Sequence, residues 1–118
     1  MKFSSELAKL DCAVALERLG GDEELLREVA GLFLDEYPML MEEIRTAAGL
    51  RDADALQRAA HSMKGSVSNF GADGVYQAAF VLEKKGRAGD LDSLEPCIDQ
   101  LAGALEHIHP ALVMLAQV

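Results

Sequence analysis

Residues 91–115 read LDSLEPCIDQLAGALEHIHPALVML. Within them Leu91, Leu94, Ile98, Leu101, Leu105, Ile108, Leu112 and Leu115 recur at alternating steps of three and four. That spacing lays one unbroken apolar stripe along a helix, the seam of a helical bundle. A coiled-coil dimer would use the same stripe. The segments upstream carry complementary stripes joined by short turns, so an antiparallel bundle within one chain is the more economical way to bury it. Pro96 and Pro110 are expected to kink this helix near its start and its end.

Working back along the chain, Val75, Ala78, Ala79 and Leu82 define the inward face of a helix from Asp73, its expected cap, to about Lys85. Gly86-Arg87-Ala88-Gly89 then reads as a turn and Asp90 as the cap of the last helix. The preceding helix is expected from about Asp54 to Asn69, capped by Asp52 or Asp54 and closed by Gly71, with Leu56, Ala59, Ala60, Met63 and Val67 inward. Gly49 and Leu50-Arg51 make the turn before it. Asp22-Glu23-Glu24 opens a longer helix on Leu25, Leu26, Val29, Leu32, Phe33 and Tyr37 or Leu40, continued past a kink at Pro38 by Met41, Ile44 and Ala48. Asp11 caps a short helix ended by Gly20-Gly21, with Leu10, Val14, Leu16 and Leu19 on its apolar face. Phe3 and Leu7 are candidate anchors in the lead before it. The expected fold is all-α: an antiparallel four-helix bundle with one or two short N-terminal helices packed on it, a single domain over residues 1–118.

Composition narrows the function. The 118 residues carry a formal net charge of −9, which argues against a nucleic-acid surface. The two cysteines, Cys12 and Cys97, match no metal spacing and read as buried reduced thiols. No apolar run reaches a membrane span and no signal pattern stands at the N-terminus, so the expected location is cytoplasmic, unless the chain belongs to a larger membrane-anchored one. There is no glycine-rich phosphate loop and no Ser-His-Asp or Cys-His set. Met39, Met41, Met63 and Met114 are expected as core fillers.

Chemistry concentrates in Ala59-Ala60-His61-Ser62-Met63-Lys64-Gly65. On the helix above, His61 falls opposite the buried stripe and shares its face with Gln57, Lys64, Gly65 and Ser68. A helical side chain leans over the preceding turn, so Lys64 leans toward His61 and a side chain at position 65 would partly cover the ring. Glycine inside a helix costs ~1 kcal/mol relative to alanine, which suggests that stability is given up for access. A neutral imidazole can attack phosphorus and carry a phosphoryl group, given a free ring nitrogen, in-line access and a cation nearby. His61, Gly65 and Lys64 would supply these three. Gln57 and Ser68 could hydrogen-bond the ring or the phosphoryl group, and Glu83 and Lys84 could approach it from the next helix. The same residues also read as an ordinary solvated face. His107 and His109 lie two apart and face different ways, which suits surface roles better than metal binding. Any phosphoryl donor must come from elsewhere.

At Ala60-His61-Ser62-Met63-Lys64-Gly65 and the following Gly71-Ala72, the sequence resembles a histidine-containing phosphotransfer (HPt) domain of two-component phosphorelays. The segments 15–22, 33–38 and Leu82-Glu83 extend the resemblance to about residues 10–110. It implies a helical phosphocarrier, not an enzyme in its own right, in which His61 is the phosphoacceptor, Lys64 the electrostatic helper and Gly65 the access residue. The partner implied is a receiver domain of a response regulator or hybrid histidine kinase. That partner would bring the aspartate and the Mg²⁺, while this chain, a monomer, would bind no cofactor and no metal. Small residues such as Ala60 and Ser68 would let the receiver approach, and a short N-terminal helix would add an apolar rim. The alternatives are a helical interaction domain that is never phosphorylated, and an HPt domain acting in cis within a hybrid sensor kinase.

Overall fold

The computed structural model describes residues 9–117, so Phe3, Leu7 and any second N-terminal helix lie outside the described residues. Five helices follow one another: α1 (Cys12–Arg18), α2 (Glu23–Gly49), α3 (Ala53–Val67), α4 (Asp73–Ala88) and α5 (Leu94–Gln117), with a 3-10 turn (Ser68–Phe70) after α3. The four long helices close a ring, α2 against α3 and α5, and α4 against α3 and α5, giving the expected antiparallel four-helix bundle. There is no strand among the described residues.

Carboxylate caps begin three of the helices. Asp11, Asp22 and Asp52 accept from the backbone N–H of Val14, Leu25 and Ala55, which would otherwise lack partners. Two expected caps are not caps. Ala72 stands at the N-cap of α4 and Asp73 is already helical. Asp90 instead folds the α4–α5 turn, accepting from the backbone N–H of Asp92 and from Lys85, and these bonds lower its carboxyl pKa. The helix with the seam begins only at Leu94. Pro96 therefore sits in its first turn, where no helical N–H is needed, and introduces no break.

The core faces of α3, α4 and α5 are those expected, with Met63, Leu56, Leu82, Leu101 and Leu112 wholly enclosed. Leu91 is half-buried just before α5. On α2 the expectation fails at Leu25, Leu32 and Met39, which are exposed, Leu32 by 66% and Met39 by 65%. A bundle helix has one inward face, and the apolar residues of α2 cover more than one. Met39 is thus not a core filler, whereas Met41 and Met63 are buried. α2 runs through Pro38 and Gly49 without a break, and the left-handed residue of the next turn is Arg51 (φ 54°). Cys12 and Cys97 are free and half-buried.

α1 lies against the 3-10 turn. The Asp11 N–H donates to Phe70 O at 2.8 Å. Gly71, left-handed at φ 63°, faces Asp11 so closely that a Cβ there would overlap the Asp11 side chain and come within 3.3 Å of its backbone. Across the bundle from α3, the Tyr37 hydroxyl and His109 Nδ1 are 2.6 Å apart, joining α2 to α5. Burial, then the Glu106 carboxylate, raises the Tyr37 pKa.

Candidate functional site

His61 stands outward at mid-length of α3, with 67% of its side chain exposed. The stripe Leu56, Ala59, Ala60, Met63 and Val67 fixes the rotation of the helix by turning its opposite face into the core. α4 then brings Glu83 under the ring. Glu83 is only 2% exposed, and its Oε2 lies 3.0 Å from His61 Nδ1. A carboxylate can only accept, so Nδ1 carries the hydrogen, and in the neutral ring the lone pair is then on Nε2.

Three cationic or donor groups meet at this carboxylate. Besides His61, Lys64 Nζ lies 2.7 Å from Oε1 as an ion pair, and Arg87 donates to Oε2 at 2.9 Å from the next turn of α4. Burial pushes the Glu83 carboxyl pKa up. The bonds and charges of Lys64 and His61 outweigh burial and hold it below the ordinary carboxylate value. Lys64 is 17% exposed and its ammonium packs over the Phe80 ring at 4.6 Å and the Tyr76 ring at 5.7 Å. The lysine therefore reaches the histidine through Glu83.

Glycines set the spacing. Gly86 is an interior residue of α4, where a turn was expected, and it is buried. A Cβ at Gly86 would stand 2.8 Å from Gln57 N and 2.9 Å from Ala53 O, so α3 and α4 approach at backbone distance. This contact seats Glu83, one turn earlier, beneath His61. At Gly65 a Cβ would meet nothing within 4 Å, so no atom of the fold requires glycine there. A first side-chain atom at position 65 would not touch the ring either; only a longer side chain could shade it.

The other expected site residues divide. Glu83 is central and enclosed rather than part of a solvated face. Ser68 is turned away, its hydroxyl donating to Gly65 O at 2.7 Å. Gln57 lines a groove with Asp54, Arg58, His61, Ser62, Glu83 and Arg87, and the hydrogen-bond partner of the ring is Glu83 rather than Gln57. Ala60 is fully buried and cannot form part of a contact surface. Lys84 packs over Phe80 at 4.6 Å. His107 and His109 are exposed and far along α5. Sequence reasoning missed Arg87, Phe80, Tyr76 and the role of Gly86. The signal for the first was present: Glu83 and Arg87 are spaced i, i+4, and Glu83 sits one turn after the inward Ala79.

Beside the ring, α2 contributes Glu36, Met39, Leu40 and Glu43 to a second groove shared with His61, Ser62, Gly65 and Ser66. Ser66 donates to Glu36 Oε1 at 2.6 Å across it. The apolar side chains nearest the ring on this side thus come from α2. Among the described residues no group of three or more His, Cys, Asp or Glu could hold a metal ion, and no helix is long and apolar enough to cross a membrane.

The chain is similar in structure to two solved proteins. One is the HPT domain from the Hpt sensor hybrid histidine kinase of Shewanella, with TM-score 0.79 and 24% identity over 95% of this chain and 97% of that one. The other is histidine-containing phosphotransfer protein B (HptB) from Pseudomonas aeruginosa PAO1, with TM-score 0.76 and 25% identity over 92% and 91% of the two chains. No curated protein matches the sequence. The Hpt domain family matches residues 28–111, a span that holds the exposed histidine, the carboxylate beneath it and the lysine beside them; the chain belongs to the Hpt domain family, the phosphocarrier modules of histidine phosphorelays.

Proposed function

We propose that His61 is the phosphoacceptor and that it exchanges a phosphoryl group with an aspartate of a receiver domain. The observation that carries this reading is the bond from His61 Nδ1 to the buried Glu83, which in the neutral ring puts the lone pair on Nε2. In the forward step the Nε2 lone pair attacks the phosphorus of an aspartyl phosphate. The N–P bond forms as the bond from phosphorus to the aspartyl oxygen breaks, and the aspartate carboxylate leaves with that electron pair. No proton moves, because Nδ1 keeps its hydrogen. The ring thereby becomes cationic, and the carboxylate of Glu83 lies 3.0 Å from it to offset that charge. Return of the phosphoryl group reverses each change.

Lys64 holds Glu83 and adds positive potential beside the phosphoryl oxygens. Gly65 keeps the approach clear for the receiver, which would supply Mg²⁺ and the acidic pocket. This chain then works as a carrier without its own catalytic machinery.

The test is transfer from receivers of the same organism, each first phosphorylated with a small-molecule phosphodonor. The expected result is an acid-labile, alkali-stable label on the wild-type chain. It should vanish in His61→Gln, with the helical circular dichroism unchanged. Label surviving that substitution would move the acceptor elsewhere. Failure of every receiver to label the wild type would favour an interaction domain that is never phosphorylated.

A further inference from the structure

His61 sits on a boundary of charge. On its α2 side, Glu28, Leu32, Asp35, Met39 and Glu42 recur at steps of four, three, four and three, so acidic and exposed apolar residues alternate down one face. Glu36 and Glu43 lie beside them and line the groove that holds His61. Residues 28–44 include five acidic side chains and no Lys or Arg. The cations Lys64, Lys85 and Arg87 are engaged by Glu83 and Asp90, away from this face, while Arg58 of α3 shares a groove with Met39, Glu42 and Glu43 and leaves the face acidic in balance. On the α4 side, Lys64 and Arg87 pair with the carboxylate of Glu83, Lys84 packs over Phe80 as Lys64 does, and Asp54 lines the same groove as Glu83. Charge thus differs across the histidine, with carboxylates in excess on the α2 side and cations in excess on the α4 side.

Such a pattern constrains what can lie over the ring. Leu32 and Met39, each about two-thirds exposed, offer apolar contacts between the acids. A second copy of this chain, laid stripe to stripe, would bring the α2 acids against each other, which is unfavourable. We infer that this face takes a protein partner whose docking surface is apolar at its centre, cationic where it meets α2 and anionic where it meets α4, so that charge fixes the orientation in which the partner reaches His61. The inference rests on the receiver reading: the receiver's acidic pocket is the anionic part and lies over Lys64, Lys84 and Arg87. Its new content is the cationic flank required opposite α2, which selects among receivers. Fields of this kind act mainly on encounter rates and fade beyond about 8 Å at physiological salt.

The experiment uses the receiver that labels the wild-type chain fastest in the transfer assay above, with the double variant Asp35→Lys/Glu42→Lys. Neither residue touches His61 or Glu83. At low salt the second-order rate constant of transfer should fall about tenfold or more, and the difference should shrink in 0.5 M salt. The first-order rate within the saturated complex should stay the same. Transfer by the variant as fast as wild type at low salt would overturn the inference, as would a wild-type rate insensitive to salt. Sedimentation showing a wild-type dimer that Met39→Asp dissociates would overturn it too, by assigning the stripe to a second copy. All these results leave the label on His61, so they are distinct from a failure of the phosphocarrier reading, in which no label forms at any receiver concentration.

Discussion

Gly86→Ala should destabilise the bundle by about 2 kcal/mol or more, although alanine is the better helix former by ~1 kcal/mol. The added methyl would enter the space between α4 and the backbone of α3, at 2.8 Å from Gln57 N and 2.9 Å from Ala53 O. Backbone cannot rotate aside, so the two helices must separate along the very contact that seats Glu83 under His61. Gly65→Ala, one helix away, should do the opposite. Its methyl meets nothing within 4 Å, so the propensity term stands alone and stability should rise by roughly 0.5–1 kcal/mol. Urea unfolding of the two variants measures both signs. Equal effects would mean that neither glycine is set by packing. Gly65→Leu completes the comparison: it should fold at least as well as wild type yet block transfer from a receiver. Normal transfer by that variant would remove access as the reason for glycine at position 65.

Glu83→Ala should cost about 2–3 kcal/mol, because it strips the partner from Lys64, which is only 17% exposed, and from Arg87 and His61 at once. Glu83→Gln separates charge from shape. Its amide oxygen can still accept from Nδ1–H, but it cannot offset the cationic ring of the phosphorylated state, so transfer should slow by about 10–100-fold. The pH dependence has a definite sign. The carboxyl is held below its ordinary value of 4.5 in the folded chain. Its contribution is therefore complete above pH 4.5 and is lost as the pH falls through the lower, folded value. The stability difference between wild type and Glu83→Gln should then be constant from neutral pH down to the ordinary carboxylate range and shrink below it. A difference that grew on acidification would contradict the site described here.

The fold was legible where a single periodicity governs. The seam on α5 and the inward face of α3 follow from spacing alone, and the outward position of His61 follows from the latter. α2 was harder, because Leu25, Leu26, Val29, Leu32, Phe33, Met39 and Leu40 exceed one face, and only the packing against α3 and α5 decides that Leu32 and Met39 stay outside. Gly86-Arg87-Ala88-Gly89 looked like a turn since two glycines close together usually are one. The first of them is instead a contact between helices, a tertiary requirement that no local pattern records. Asp90 looked like a cap for the same local reason and proved to be the hub of a loop. At the site, His61, Lys64 and Gly65 were visible as a motif. Glu83 was underrated because a carboxylate is rarely enclosed unless paired, and its partners lie on two different helices.

Beside the packing of Ala15 and Leu16 on the core, α1 is fastened by main-chain atoms: the Asp11 N–H on Phe70 O, and a glycine at position 71 that admits nothing larger. That fastening is indifferent to the side chains α1 turns away from the core. Val14 and Arg18 border a cleft shared with Lys64 and Gly65 of α3. They can be exchanged over evolutionary time, and a module of this kind can be retuned toward a new correspondent without being re-anchored.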